Sequence, residues 1–191
     1  MPKIILASKS KARIKLLKQI GLKFRVEVSG IKESRSLKIK REDLVIANAL
    51  SKARDIADKF KSGIVIGADT IVLAGKKVIG KPKDNKSAFK ILKLLSKKPQ
   101  WVYTGLAVID INKNKVWTAY DKTKIYMQSL SDEQIKSYFK KVSPLDKAGA
   151  FDIQGPGSIF IDRVEGCFYN VVGLPLSKLA KLLKKAGVDI L

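Results

Sequence analysis

One run of the chain constrains it more than any other. Residues 63–73 read Gly-Ile-Val-Ile-Gly-Ala-Asp-Thr-Ile-Val-Leu, a continuous apolar, β-branched stretch that predicts a central strand. Asp69 interrupts it where such a strand should be apolar. A buried carboxylate is costly unless it is paired or bound to a metal. Asp69 is therefore either a functional acid or an aspartate at a strand bend, satisfied by local N–H groups.

The segments around that strand alternate in period. Residues 3–7 form a short apolar strand pattern, and residues 11–20 a helix pattern that Gly21 ends. Residues 22–28 predict a second strand, and the charged stretch 30–40 a loop. Residues 41–60 predict a long helix, because Ile46, Leu50, Ala53, Ala57 and Phe60 recur at spacings of 4, 3, 4 and 3. A turn at Gly75-Lys76-Lys77 leads to a short Val78-Ile79, and Asp84 or Asn85 can cap a helix to Leu95. Residues 101–111 and 115–126 predict paired strands joined through Asn112-Lys113-Asn114. Ser131-Asp132-Glu133-Gln134 has the form of a capping box, with a helix to about Val142. Residues 146–154 are mixed, Gly155-Pro156-Gly157 predicts a loop, residues 158–163 a strand, and residues 174–186 a closing helix stopped by Gly187. Strands and helices interleave throughout, so the expected class is α/β or α+β in a single domain over residues 1–191, with no repeat and no clean linker.

Composition narrows the chemistry. The chain has no histidine, which removes Ser-His-Asp and Cys-His catalysis and His-ligated zinc together. A general base must be a carboxylate, a lysine, a tyrosine or the one cysteine, Cys167. Any metal must be a hard cation held by oxygens, Mg2+ or Mn2+. A single cysteine excludes an internal disulfide framework. No apolar run approaches the roughly 20 residues that span a bilayer, so no membrane partner is expected and we read the protein as cytoplasmic. The net charge of +22 favours anionic partners. The basic residues are mostly lysines spread along the whole chain, which reads as a lysine-rich surface rather than a dedicated nucleic-acid face.

Several further residues could carry chemistry. Ser8-Lys9-Ser10-Lys11-Ala12-Arg13 falls between a buried strand and a helix start, where free N–H groups can hold a phosphate; a capped helix with solvated lysines is the other reading. Lys52 shares its helix flank with Val45, Ala49 and Ile56, and either snorkels to water or reaches a cleft. Lys81 sits in the rigid turn Gly80-Lys81-Pro82, Glu33 in the charged loop, and Gln154 before Gly155-Pro156-Gly157. The Gln154 amide could read a base edge or pair with backbone.

Together these segments resemble the Maf family, also called septum-formation inhibitors, over nearly the whole chain. The family's Ser-x-Ser-Pro-Arg-Arg is similar to residues 8–13, its Gly-Ala-Asp-Thr is matched by residues 67–70, and its Lys-Pro turn by Lys81-Pro82. Its Asp-Lys-Ala-Gly-Ala-Tyr-Gly-Ile-Gln-Gly is similar to residues 146–155, and its Val-Gly-Leu-Pro is matched by residues 172–175. The resemblance implies a fold like that of inosine triphosphatases: an elongated mixed sheet with helices, and two lobes around a nucleotide cleft. It implies hydrolysis of a nucleoside triphosphate to the monophosphate and pyrophosphate, with a divalent cation and commonly as a homodimer. It assigns Glu33 and Asp69 to the cation, Asp69 to water activation, and Ser8, Ser10, Arg13, Lys52 and Lys81 to the substrate phosphates. Thr70 and Gln154 match the dTTP and UTP branch rather than the 7-methyl-GTP branch, which usually carries glutamate at the position of Gln154. Ala12 stands where that branch has a specificity arginine, Lys11 replaces the proline before it, and Phe151 replaces a tyrosine. The alternatives are a 7-methyl-GTP or modified-nucleotide pyrophosphatase of the same family, or a basic nucleic-acid-binding protein without turnover.

Overall fold

The computed structural model describes residues 2–36, 38–145 and 147–190. Asp146, which opens one of the family-like segments, lies outside the described residues. The elements follow in the order β1 (Ile4–Leu6), α1 (Lys11–Gln19), β2 (Arg25–Val26), α2 (Arg41–Ala57), β3 (Ile64–Ala74), β4 (Lys77–Ile79), α3 (Asn85–Leu95), β5 (Gln100–Asp110), β6 (Lys115–Met127), α4 (Asp132–Lys141), β7 (Ile161–Glu165), α5 (Phe168–Val172) and α6 (Leu176–Lys185). The strands form one mixed sheet in the order β2-β1-β3-β5-β6-β7, with β4 also paired to β3. β1 runs parallel to both β2 and β3, whereas β3 with β4 and β6 with β7 are antiparallel. The class is α/β, as the interleaved periods imply. No described helix is long and apolar enough to cross a membrane.

The chain divides into two compact units, and β3, β5 and β6 each contribute residues to both. The first unit comprises Met1–Thr70, Tyr103–Asp121 and Tyr169–Leu191. Its strands alternate, so each face of the sheet gathers its own core. Ile4, Leu6, Ile64, Ile66, Ala68, Leu106 and Val108 pack with Leu16 and Leu17 of α1 and with Leu179 and Leu183 of α6. Ile5, Val65, Ala107 and Ile109 pack on the other face against Ala49, Ala53 and Ile56 of α2. Two glycines let α2 lie directly on the strands. A Cβ on Gly67 would stand 2.2 Å from the Ala49 carbonyl oxygen, and one on Gly105 2.2 Å from that of Val45.

The second unit comprises Ile71–Val102 and Lys122–Phe168. Here α3 packs against α4 and a short 3-10 turn, Ala148–Ala150. Both helices begin with capping boxes, at Asp84 and Ser131. Lys93 joins them by donating to the Leu130 carbonyl at 2.8 Å and to Asp132 at 2.6 Å.

Three elements differ from the sequence expectation. The strand expected over residues 22–28 is only Arg25–Val26, because its partner β1 is itself short and offers Ile5 and Leu6 alone. Pro156 and Gly157 of the expected loop, with the first half of the strand expected after it, are a 3-10 helix, Pro156–Phe160. Pro156 supplies a preset φ at its first turn, and pairing with β6 begins only where Ile161 meets Met127. The closing helix starts at Leu176 behind Pro175, preceded by the separate α5.

Replacing Gly105 by alanine is expected to destabilise the protein by about 1–3 kcal/mol, because the new methyl must push α2 off the sheet. A midpoint shift of that size in urea, with no matching loss for Gly80→Ala in open space, checks it. Equal stability of the two variants would contradict the close packing.

Candidate active site

β1 stops after Leu6, and its last bonds along the sheet run from Ala7 N–H to the Ile66 carbonyl and from Glu27 N–H to the Leu6 carbonyl. β3 continues past that point. Side chains from both faces of the sheet converge on the middle of β3 just past the end of β1: the Ala68 carbonyl accepts from Arg13 at 2.9 Å and from Lys52 at 3.4 Å. Strand alternation places Asp69 on the α2 face and Thr70 on the α1 face.

On the α2 face, Asp69 is 1% exposed. Lys52 donates to its Oδ1 at 2.8 Å and Asn48 to its Oδ2 at 2.8 Å. Asp69 is thus no strand bend satisfied by local N–H groups, and Lys52, 8% exposed, does not snorkel to water. The Lys52 ammonium also donates to Glu33 Oε1, while Arg35 holds Glu33 Oε2. Asn48 pins the loop that carries Glu33. Its Oδ1 accepts from Ser34 N–H at 3.0 Å, and its Nδ2 donates to the Ser34 carbonyl at 3.0 Å. Burial pushes the Asp69 carboxyl up, but the charge and hydrogen bond of Lys52, the Asn48 amide and the Arg13 charge together hold it below the ordinary aspartate range. Asp69 is an anion at neutral pH.

On the α1 face, Ser10 caps the helix by accepting from Arg13 N–H at 3.4 Å, and Ser8 Oγ accepts from Ser10 N–H at 3.2 Å. The Arg13 side chain turns inward. Nε donates to the Gly173 carbonyl at 2.8 Å, one terminal nitrogen to Ala68 and to Ser8 at 3.3 Å, and the other to Thr70 Oγ1 at 3.0 Å. Burial draws the guanidinium below its usual value, opposed by Asp69 and Glu33. Gly173 sits at a positive φ of 106°, which turns the chain between α5 and α6. Thr70 Oγ1 contacts Thr104 Oγ1 at 2.9 Å, and Thr104 donates to the Asn170 carbonyl at 3.1 Å. Ala12 is half-buried on α1.

Ser8, Ser10, Arg13, Glu33, Lys52, Asp69 and Thr70 are therefore linked by hydrogen bonds within the first unit. Lys81 and Gln154 belong to the second unit and are both exposed. The Gly80-Lys81-Pro82 turn is joined to the segment leading to Gln154 by Gly149 N–H donating to the Gly80 carbonyl at 3.5 Å. Gln154 N–H donates to Asp152 Oδ1 at 3.0 Å.

Sequence reasoning missed Asn48, Thr104 and the Gly173 carbonyl. Asn48 had a signal, since it stands one turn before Lys52 on a flank of otherwise apolar residues. Gly173 lies in the family-like Val-Gly-Leu-Pro, though nothing there marks its carbonyl as an acceptor, and Thr104 had no signal, because nothing local distinguishes a strand threonine that another segment will use.

A family model described as Maf-like protein matches residues 3–186. The chain is 47% identical over 191 residues to a dTTP/UTP pyrophosphatase of Methanosarcina barkeri, covering 100% of this chain and 97% of the relative. It is 42% identical over 189 residues to a dTTP/UTP pyrophosphatase of Dictyoglomus turgidum, covering 98% of each. A dTTP/UTP pyrophosphatase of Clostridium botulinum is 44% identical over 195 residues, with 100% of both chains covered. Among solved structures, the Staphylococcus aureus Ham1 protein aligns with a TM-score of 0.48 at 16% identity, over 66% of this chain and 72% of that one.

The held-down Asp69 carboxyl makes stability pH-dependent. An acid whose pKa lies lower in the folded than in the unfolded state stabilises the fold above its unfolded value, about 3.9, and that contribution disappears as pH falls through the folded value. Relative to Asp69→Asn, the wild type is expected to gain on the order of 2–3 kcal/mol near pH 7, shrinking below about pH 4. Urea unfolding of both proteins at a series of pH values measures it. A difference independent of pH would rule out the ion-paired carboxylate.

Proposed function

This chain belongs to the Maf family, and on that premise we propose that it hydrolyses nucleoside triphosphates between the α and β phosphates, releasing the monophosphate and pyrophosphate, with dTTP and UTP as substrates. The observation that carries the reading is the buried anion Asp69, placed in an otherwise apolar strand and shared with Lys52 and, through Lys52, with Glu33. Hydrophobic residues of similar volume often stabilise a core as well as a buried ion pair does, so stability alone gives little reason for this one. The full-length relatives named dTTP/UTP pyrophosphatases support the reaction and the substrates.

Attack of water on the α-phosphorus needs charge neutralisation, an aligned nucleophile and a group to take its proton. Asp69, ionised at neutral pH, is the acceptor. Lys52 offsets phosphate charge from the same cluster. The Ser8 and Ser10 turn at the start of α1 offers hydroxyls and helix N–H groups to phosphate oxygens. Arg13 directs its donors largely to protein carbonyls and hydroxyls, so its part is to hold the turn and Thr70 in place while adding positive charge. The family resemblance assigns Lys81 to the phosphates, and Gln154 and Thr70 to the base.

The residues fit a hard divalent cation. Glu33 and Asp69 are both oxygen donors and both contact the same Lys52 ammonium, so their carboxylates share one neighbourhood. Among the described residues no group of three or more acidic, cysteine or histidine side chains gathers around a point. Mg2+ commonly binds through one or two carboxylates and completes its shell with water and substrate phosphates. Bound by Glu33 and Asp69, Mg2+ or Mn2+ would neutralise phosphate charge and acidify a bound water. The working form proposed on the family resemblance is a cytoplasmic homodimer.

Pyrophosphate release from a panel of nucleotides with Mg2+ tests the proposal. Turnover is expected with dTTP and UTP, and Asp69→Asn is expected to lower kcat by about 10²-fold or more. Near-normal kcat in that variant would remove Asp69 from the mechanism, and no turnover by the wild type, with salt-sensitive nucleic-acid binding instead, would replace the proposal. Ala12→Arg restores a planar set of donors that lysine cannot imitate. It is expected to sharpen the preference for UTP over GTP, read as the ratio of kcat/KM values. An unchanged ratio would place that selection elsewhere.

A further inference from the structure

We propose that Thr104 is a positioning residue that fixes the direction of the Thr70 hydroxyl and restricts it to accepting a hydrogen bond from the nucleotide base. The inference rests on the pyrophosphatase reading and on the assignment of Thr70 to the base.

A hydroxyl has one proton to donate. The Asn170 carbonyl has none, so the 3.1 Å bond between it and Thr104 uses the Thr104 proton. The 2.9 Å contact between Thr104 and Thr70 then has only one possible donor, Thr70. On its other side Thr70 Oγ1 accepts from the Arg13 guanidinium, which can only donate, at 3.0 Å. The chain is directional from end to end: Arg13 to Thr70, Thr70 to Thr104, Thr104 to the Asn170 carbonyl. Thr104 is fully buried, so water does not compete for its proton or its lone pairs. Thr70 is only half-buried and keeps one lone pair. It has no proton left for a ligand.

An acceptor of this kind discriminates by the polarity of the base edge. Uracil and thymine carry an N–H at position 3 between two carbonyls, the only donor on that edge. Cytosine carries a bare nitrogen lone pair at the same position, which would face the Thr70 lone pair across the contact. A site whose polar groups are fixed in direction rejects the mismatched partner, because one buried group is left unpaired. Thr70 alone would not do this, since a free hydroxyl rotates to suit either base. Thr104 removes that freedom.

The experiment compares kcat/KM for UTP, CTP and 3-methyl-UTP in the wild type, Thr104→Val and Thr104→Ser, with thermal melts to confirm folding. In the wild type, UTP is expected to exceed both other nucleotides by about tenfold or more. Thr104→Val releases the Thr70 proton, so the UTP-to-CTP ratio is expected to fall by about tenfold, mainly through KM. Thr104→Ser keeps the hydroxyl and the ratio. The inference is overturned if the wild type turns over 3-methyl-UTP as well as UTP, if Thr104→Val leaves the ratio unchanged, or if Thr104→Ser loses it equally. Should Thr104→Val not fold, the 3-methyl-UTP comparison in the wild type decides alone. Absence of turnover with every nucleotide overturns the pyrophosphatase reading and this inference with it, whereas turnover indifferent to the base edge overturns only this inference.

Discussion

The ion pair between Asp69 and Lys52 is the interaction on which the middle of β3 depends. Removing a carboxylate and an ammonium from water costs several kcal/mol each, and their attraction offsets this only when the remaining lone pairs and protons are satisfied. Here they are. Asn48 takes the second oxygen of Asp69, and Glu33 and the Ala68 carbonyl take further protons of Lys52. The same Asn48 amide holds both the N–H and the carbonyl of Ser34, so the charged loop that brings Glu33 is tied to the helix that brings Lys52. One buried charge in a strand thereby organises a helix, a loop and a second acid.

That organisation needs α2 close to the sheet. Gly67 and Gly105 remove the side chains that would otherwise hold it away, at contacts where any Cβ would overlap backbone oxygen. It also needs the strand period. Asp69 and Thr70 are adjacent, yet one joins the acids under α2 and the other joins Arg13 and Thr104 on the α1 face. Because β1 ends early, Arg13 and Lys52 meet at a single carbonyl, that of Ala68, from opposite faces. An anionic acceptor and a cationic frame are brought to one stretch of β3 without sharing a face.

Much of this was legible in the sequence. The apolar run broken by Asp69 located both the central strand and its anomaly, and the periodicity of residues 41–60 located α2. The capping box at Ser131, the cap at Asp84 or Asn85 and the stop at Gly21 were readable because caps and turns are settled by residues a few positions apart. Where the reading failed, pairing decided: β2 is short because β1 is short, and residues 158–160 are 3-10 rather than strand because β6 has no partner position for them.

The sequence by itself determined the α/β class, the run of elements and the unusual residues, since hydrophobic period, glycine, proline and a lone buried acid are properties of a local stretch. It also carried the family resemblance, because ordered motifs survive in one dimension. Only the tertiary structure decided what those residues do to one another. Lys52 could equally have reached water until Asp69 was set beneath it. Arg13 could have faced solvent until the Gly173 and Ala68 carbonyls took its donors. The direction of the Thr70 hydroxyl follows from a carbonyl a hundred residues further along the chain. Hydrogen bonds and ion pairs are fixed by position in space, and segments far apart in sequence acquire that position only when the core closes around them.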